Sequence, residues 1–363
     1  MASSVKKKSI LEMDISIGGV GLTQRALFAK HLAVMLRSGL SITEALQTAQ
    51  EAARGKLNKV TAVVLESVVW GQSLSSSLSE YPRVFPGLFV NVTRAGEVSG
   101  TLPENLENIA EQLEKERQLL NKIRGAMIYP VIILAATFAL GLGISFIVLP
   151  KITPLFEGLQ IELPITTRLL ISFSHFVQQY NVLLLVGILG AAGGLVWIVR
   201  QQFARPVTHW LLLHSPILKN ITKSSNLARF SRTLGMLLKS GVHIDEALDI
   251  TKSTMGNYYY QAALERVSRN TRVGAKLSEN LEQFPALFPV IVTRMIQVGE
   301  ETGKFEETLF YLADFYEAEV DNATKSLSTA IEPLLLLFIG LIVGFLALSI
   351  ITPIYDVTGN IQR

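Results

Sequence analysis

The chain of 363 residues contains no cysteine. That absence excludes disulfide scaffolds, thiolate metal sites and cysteine nucleophiles together, and it leaves the redox compartment unread. Charge is also scarce, with 17% of residues Asp, Glu, Lys or Arg and a formal net charge of +3. So small a balance leaves no footprint for nucleic acid, whose binders concentrate Lys and Arg on one face. Catalytic signatures are missing too. The sequence has no GxxxxGK[ST] phosphate loop, no HExxH zinc helix and no GxSxG nucleophile elbow. Its five histidines, His31, His175, His209, His214 and His243, never fall at metal-ligand spacing, and each reads as an interface or surface residue. No cofactor and no metal are implied.

What is abundant is apolar surface: 49% of residues are hydrophobic and the mean hydropathy is +0.37, which places part of the chain in lipid. Three runs carry no charge, at residues 127–149, 182–199 and 333–353. The first is long enough to cross roughly 30 Å of hydrocarbon as a helix. The second is short but bounded by Tyr180 on one side and by Trp197 and Arg200 on the other, residues that favour a membrane interface. Small residues recur four apart in all three, at Ala135, Ala139 and Gly143, at Gly190 and Gly194, and at Gly340 and Gly344. That spacing lets neighbouring helices approach closely. None of the spans holds an ionisable group, which transporters and intramembrane hydrolases usually need.

The rest of the chain is organised around a repeat. Met35 to Leu46 (MLRSGLSITEAL) returns as Leu237 to Leu248 (LLKSGVHIDEAL), and Gly96-Glu97, Gly100, Pro130 and Pro150 return as Gly299-Glu300, Gly303, Pro333 and Pro353. The offset is 202 at Arg37 and Lys239 and 203 at Gly96 and Gly299, so one residue is gained in between. From Leu22 onward apolar residues recur at helical spacing, for example Leu27, His31, Val34 and Leu36, then Val60, Val63, Val64, Leu65 and Val68. The breaks are Gly39, Gly55, Gly71 and the pair Pro82 and Pro86. The expected fold is therefore all-α, with two repeated cytoplasmic antiparallel bundles of about six helices each and three transmembrane helices.

In chain order this predicts a flexible leader at 1–21, a first bundle at 22–126, a span at 127–149 and an external loop at 150–181. A second span at 182–199, an interfacial join at 200–224, a second bundle at 225–332, a third span at 333–353 and an external tail at 354–363 follow. Trp210 to Leu213 in the join are expected to lie along the interface. Orientation rests on the basic residues. Lys115, Arg117, Lys122 and Arg124 precede the first span and Arg200, Arg205, Lys219 and Lys223 follow the second, while only Lys151 and Arg168 lie between. The positive-inside rule then puts both bundles in the cytoplasm.

Candidate functional residues come from the repeat. Ser41 with Glu44 forms a capping-box pattern around Gly39, and the second copy keeps Gly241 and Glu246 but has His243 at the cap. Gly96-Glu97-x-x-Gly100 and Gly299-Glu300-x-x-Gly303 stand between helices, where glycines suit a tight connection. Their glutamates are open to three readings: capping the next helix, accepting from neighbouring amides, or touching a metal or partner. Glu332, just before Pro333, is either a solvated carboxylate near a helix start or a coupling residue.

These motifs, with the Phe85-Pro86 and Phe288-Pro289 turns, resemble the type II secretion system F family, which includes platform proteins of type IV pilus assembly. The resemblance covers residues 22–358, although many members carry a longer leader. It implies a polytopic, non-enzymatic protein of the bacterial inner membrane that forms homo-oligomers. Its implied partners are a hexameric assembly ATPase, pilin or pseudopilin, other inner-membrane assembly proteins and membrane lipid. The alternative is a polytopic small-solute transporter or channel subunit, although transporter repeats are usually embedded in the membrane.

Overall fold

The structure is a computed structural model that describes residues 19–144, 165–180, 201–216 and 218–361, with scattered positions elsewhere between 147 and 198. The expected leader up to residue 18, most of the second span and residues 152–164 lie outside the described residues. Among the described residues every regular element is helical and none is a strand.

The helices are α1 (Leu22–Arg37), α2 (Ile42–Ala52), α3 (Lys56–Val69), α4 (Leu74–Ser79), α5 (Gly87–Ser99) and α6 (Leu102–Gly143). After α7 (Ile165–Gln179), a short 3₁₀ turn (Gln202–Ala204) and α8 (Arg205–His214), the series resumes. It continues with α9 (Lys219–Lys239), α10 (Ile244–Thr254), α11 (Tyr258–Arg272), α12 (Leu277–Glu282), α13 (Val290–Thr302) and α14 (Phe305–Ile361). The starts of α2 and α10 are 202 apart, at Ile42 and Ile244, and those of α5 and α13 are 203 apart, at Gly87 and Val290. The extra residue falls within α11, which has 15 residues where α3 has 14.

The chain divides into two compact units. The first holds residues up to 120 together with 224–317, and the second holds 121–223 together with 318–363. In the first unit each repeat has an aromatic centre. Phe28, Phe85 and Phe89 meet with ring centroids 5.0–6.2 Å apart, and Phe230, Tyr260 and Phe288 meet at 5.3 and 5.4 Å. The Tyr260 hydroxyl donates to the Leu287 carbonyl at 2.9 Å, so the ring is buried without stranding its polar end.

The inward face of α1 differs from the expected one. Ala26, Phe28, Ala29, Leu32 and Ala33 are buried, whereas Leu27 and Val34 are half exposed. Small alanines let neighbouring helices close on that face, and close packing, not side-chain hydropathy, decides which stripe turns inward. On α3, Val60 and Val64 are buried as the spacing indicates, but Val63 is exposed. The capping box at the start of α2 forms: the Glu44 amide donates to Ser41 Oγ at 3.3 Å and the Ser41 amide donates to Glu44 Oε2 at 2.9 Å.

The long helix expected before Met127 and the start of the span expected at 127–149 are one helix, because α6 runs unbroken from Leu102 through Pro130. A proline there leaves one carbonyl a turn earlier without its usual amide, and the helix absorbs the loss. Among the described residues one stretch, Leu102–Gly141, is long and apolar enough to cross a membrane. Only 6% of its most apolar window is buried within the chain, unlike the core helix of a soluble protein. Leu335–Ser349 in α14 is a shorter apolar stretch. There α7 meets α14, where Thr167 Oγ1 donates to the Ser349 carbonyl at 2.8 Å.

Candidate functional site

The Gly-Glu-x-x-Gly segments end α5 and α13. Gly100 and Gly303 are the C-caps of these helices, with φ of 76° and 71°, a left-handed conformation that L side chains resist. Gly96 serves a different need. A Cβ there would stand 2.9 Å from Leu102 Cα and 3.0 Å from Asn105 Cβ, so the absent side chain is what lets α5 and α6 touch. At Gly299 the corresponding distances are 3.2 Å to Phe305 Cα and 3.1 Å to Thr308 Oγ1.

The glutamates reach backward along the chain, not forward. Glu97 accepts from the amides of Leu74 at 2.5 Å and Ser75 at 3.1 Å, and Glu300 accepts from those of Leu277 at 2.7 Å and Ser278 at 3.2 Å. Ser278 Oγ also donates to Glu300. Each carboxylate thus satisfies the free amides of the short α4 or α12 and places its charge at the positive end of that helix. Of the three readings, acceptance from amides is the one the geometry meets, and the helix served is the preceding one.

The other candidates scatter. Gly39 and Gly241 take left-handed turns after α1 and α9, with φ of 88° and 83°. Glu246 stands in the first turn of α10, where His243 makes no side-chain cap bond, so the second copy lacks the box of the first. Glu332 lies far inside α14, and no helix starts at Pro333. α10 packs against α5, which brings the helix of Glu246 beside that of Gly96 and Glu97. Among the described residues no group of three or more His, Asp or Glu is placed to hold a metal ion.

Sequence reasoning missed a polar seam in the first unit. Asn105 Nδ2 donates to the Ser240 carbonyl at 3.5 Å, Gln112 Nε2 to Thr233 Oγ1 at 3.2 Å, and Arg229 pairs with Glu116 at 3.2 Å. Numbers rise along α6 as they fall along α9, so the two helices run antiparallel in one register. Lys239 donates to Asn108 Oδ1 at 3.3 Å, and Glu317 joins Lys115 at 3.5 Å and Arg232 at 2.8 Å. Beside the seam a cavity of about 900 Å³ opens between α1, α6, α9 and α14, with Leu27, Met236 and Phe310 among Lys30, Lys115, Arg117 and Glu111. The signal was present as polar residues at positions 105, 108, 112 and 116 of α6, one helical face.

The family model described as type II secretion system (T2SS), protein F matches this chain twice, over residues 28–150 and 230–353. The chain belongs to that family. A type IV pilus assembly protein PilC of Thermus thermophilus is 38% identical over 349 residues, 95% of this chain and 85% of that protein. The PilC of Myxococcus xanthus is 34% identical over 366 residues, 99% of this chain and 87% of its own length. A type II secretion system protein F of Aeromonas hydrophila is 31% identical over 348 residues, 95% and 89% of the two chains. The family's two matched segments include both Gly-Glu-x-x-Gly turns, and the first of them contains the α6 side of the seam.

Proposed function

We propose that this protein is a non-enzymatic inner-membrane platform that couples a cytoplasmic assembly ATPase to the assembly of pilin or pseudopilin filaments. Membership of a family whose relatives are named for pilus assembly and type II secretion supports the field of action. In this reading the two repeats are cytoplasmic bundles, three helices cross the membrane, and the chain works as a homo-oligomer beside other inner-membrane assembly proteins.

The observation that carries the mechanism is the length of two helices. α6 has 42 residues and α14 has 57, and each begins in the first compact unit and ends in the second. An unbroken helix transmits displacement along its axis because each turn is hydrogen-bonded to the next. ATPase strokes on the bundles would reach the membrane through α6 and α14, and the small-residue faces would pack against neighbouring protomers or the pilin. In this scheme Gly96 and Gly299 let α5 and α13 pack against the roots of these helices, and Glu97 and Glu300 tie α5 and α13 to α4 and α12.

The test is a flexible Gly-Ser insertion after Leu120 in α6, and another after Ala318 in α14, in the full chain expressed in a strain lacking its own copy. The expected result is protein that reaches the membrane and still co-purifies with the ATPase but assembles no filaments. Filaments at normal length and number with both helices interrupted would overturn transmission through them.

A further inference from the structure

Between Glu162 and Asp245 the sequence has no acidic residue, in a chain where 30 of 363 residues are Asp or Glu. Its charge is entirely basic, and α8 with the first turns of α9 carries Arg205, Lys219 and Lys223. Among the described residues no carboxylate pairs with any of these three. Lys219 and Lys223 fall four apart on α9, a spacing at which like charges destabilise a helix. Burial, and then the neighbouring Lys219, holds Lys223 below its ordinary pKa.

The same segment carries an uncovered apolar stripe. Phe203, Val207, Trp210 and Leu211 are 71%, 69%, 50% and 61% exposed, and no residue of α8 is buried. At helical spacing these four share one side, with Arg205 and His209 roughly opposite. Trp210 is fixed by its stack on His214, with ring centroids 4.4 Å apart. An apolar face with an aromatic side chain and Arg205 on one short helix, followed by Lys219 and Lys223 at the start of the next, are the ingredients of a segment lying in a membrane interface.

We propose that α8 and the first turns of α9 form a docking site for anionic phospholipid headgroups. Phe203, Val207, Trp210 and Leu211 enter the acyl region, and Arg205, Lys219 and Lys223 take the headgroup phosphates. This rests on the reading of the chain as a membrane protein with residues 200–224 beside the bilayer. Its consequence is that lipid charge fixes the start of α9, the helix that holds α6 in register.

The test uses the full chain with Trp70→Phe and Trp197→Phe, both exposed positions, so that Trp210 alone fluoresces. The protein is placed in nanodiscs of fixed phosphatidylcholine and phosphatidylglycerol ratio, with bromine on one lipid or the other. Brominated phosphatidylglycerol should quench Trp210 at least about twofold more than brominated phosphatidylcholine at equal mole fraction, since each basic residue adds attraction to an anionic surface. Arg205→Gln, Lys219→Gln and Lys223→Gln together should equalise the two, while Arg94→Gln should not. Equal quenching in the starting protein, or a preference that survives the triple change, would overturn the anionic site. Absence of quenching by either lipid would overturn the interfacial placement as well, and the filament assay above would still stand as a separate judgement on the platform reading.

Discussion

Glu107 and Phe310 occupy the same place in the two repeats, and equivalent cations attend each. Glu107 on α6 pairs with Lys30 and, at 2.9 Å, with Arg37. Phe310 on α14 has Arg232 and Lys239 each 5.8 Å from its ring centroid. Lys30 and Arg37 stand 202 positions before Arg232 and Lys239. The fold has kept the pair of cations and set an aromatic face where the first repeat has a carboxylate, while Arg232 also pairs with Glu317 at 2.8 Å.

Glu107→Gln is expected to lower stability by about 1 kcal/mol at neutral pH, given that its partners are half exposed. The hydrogen bond from Lys30, and then the charges of Lys30 and Arg37, hold its carboxyl below the ordinary carboxylate pKa against the opposing effect of burial. A depressed folded-state pKa means that the contribution is full above the unfolded value and is lost as pH falls through the folded one. Denaturation of the detergent-solubilised protein across that acidic range checks this: wild type and Glu107→Gln should converge as pH drops.

Gly96→Ala should destabilise by about 1–3 kcal/mol, because the new methyl meets Leu102 Cα, a backbone atom that cannot step aside. Gly299→Ala should cost less, since its backbone contact, Phe305 Cα, stands farther off at 3.2 Å and the Thr308 hydroxyl at 3.1 Å can turn. Thermal unfolding of the two variants side by side gives the order, and an equal or reversed order would contradict the geometry.

Glu97→Ala removes the acceptor for two amides of α4 and is expected to cost about 2 kcal/mol. Glu97→Gln keeps an acceptor oxygen and should recover about half of that loss. Local hydrogen exchange at Leu74 and Ser75, measured by mass spectrometry, should rise in the alanine variant before any global change. Unaltered exchange there would mean that the carboxylate does not hold α4.

The natural lack of cysteine makes single-cysteine labelling direct. Ser79→Cys in the first repeat and Gln283→Cys in the second, both exposed, should stay unlabelled by an impermeant maleimide on intact cells. Ile165→Cys at the start of α7 should be labelled. Opposite behaviour of the Ser79 and Gln283 variants would place the repeats on different sides of the bilayer and remove a shared motor.

Much of the helix order was legible because glycines and prolines punctuate it: Gly39, Gly55 and Gly71 each adopt positive φ between helices. The Ser41 and Glu44 box was legible because its two partners are three residues apart. Glu97 was not, since the amides it serves lie 22 and 23 positions earlier, beyond any local pattern. The seam was hidden for a different reason. Asn105 and Gln112, both buried, carry the residue types of a solvated face, and only their partners on α9 distinguish the two cases.

That seam also limits how the molecule can deform. Sliding α6 along α9 by one turn, about 5.4 Å, would set Gln112 opposite Arg229 or Leu237 instead of Thr233 and unmatch the other polar pairs together. The contact therefore behaves as a detent with widely spaced stops. Small tugs on either strut are shared by both repeats, and only a pull strong enough to break the whole row would let one slip past the other.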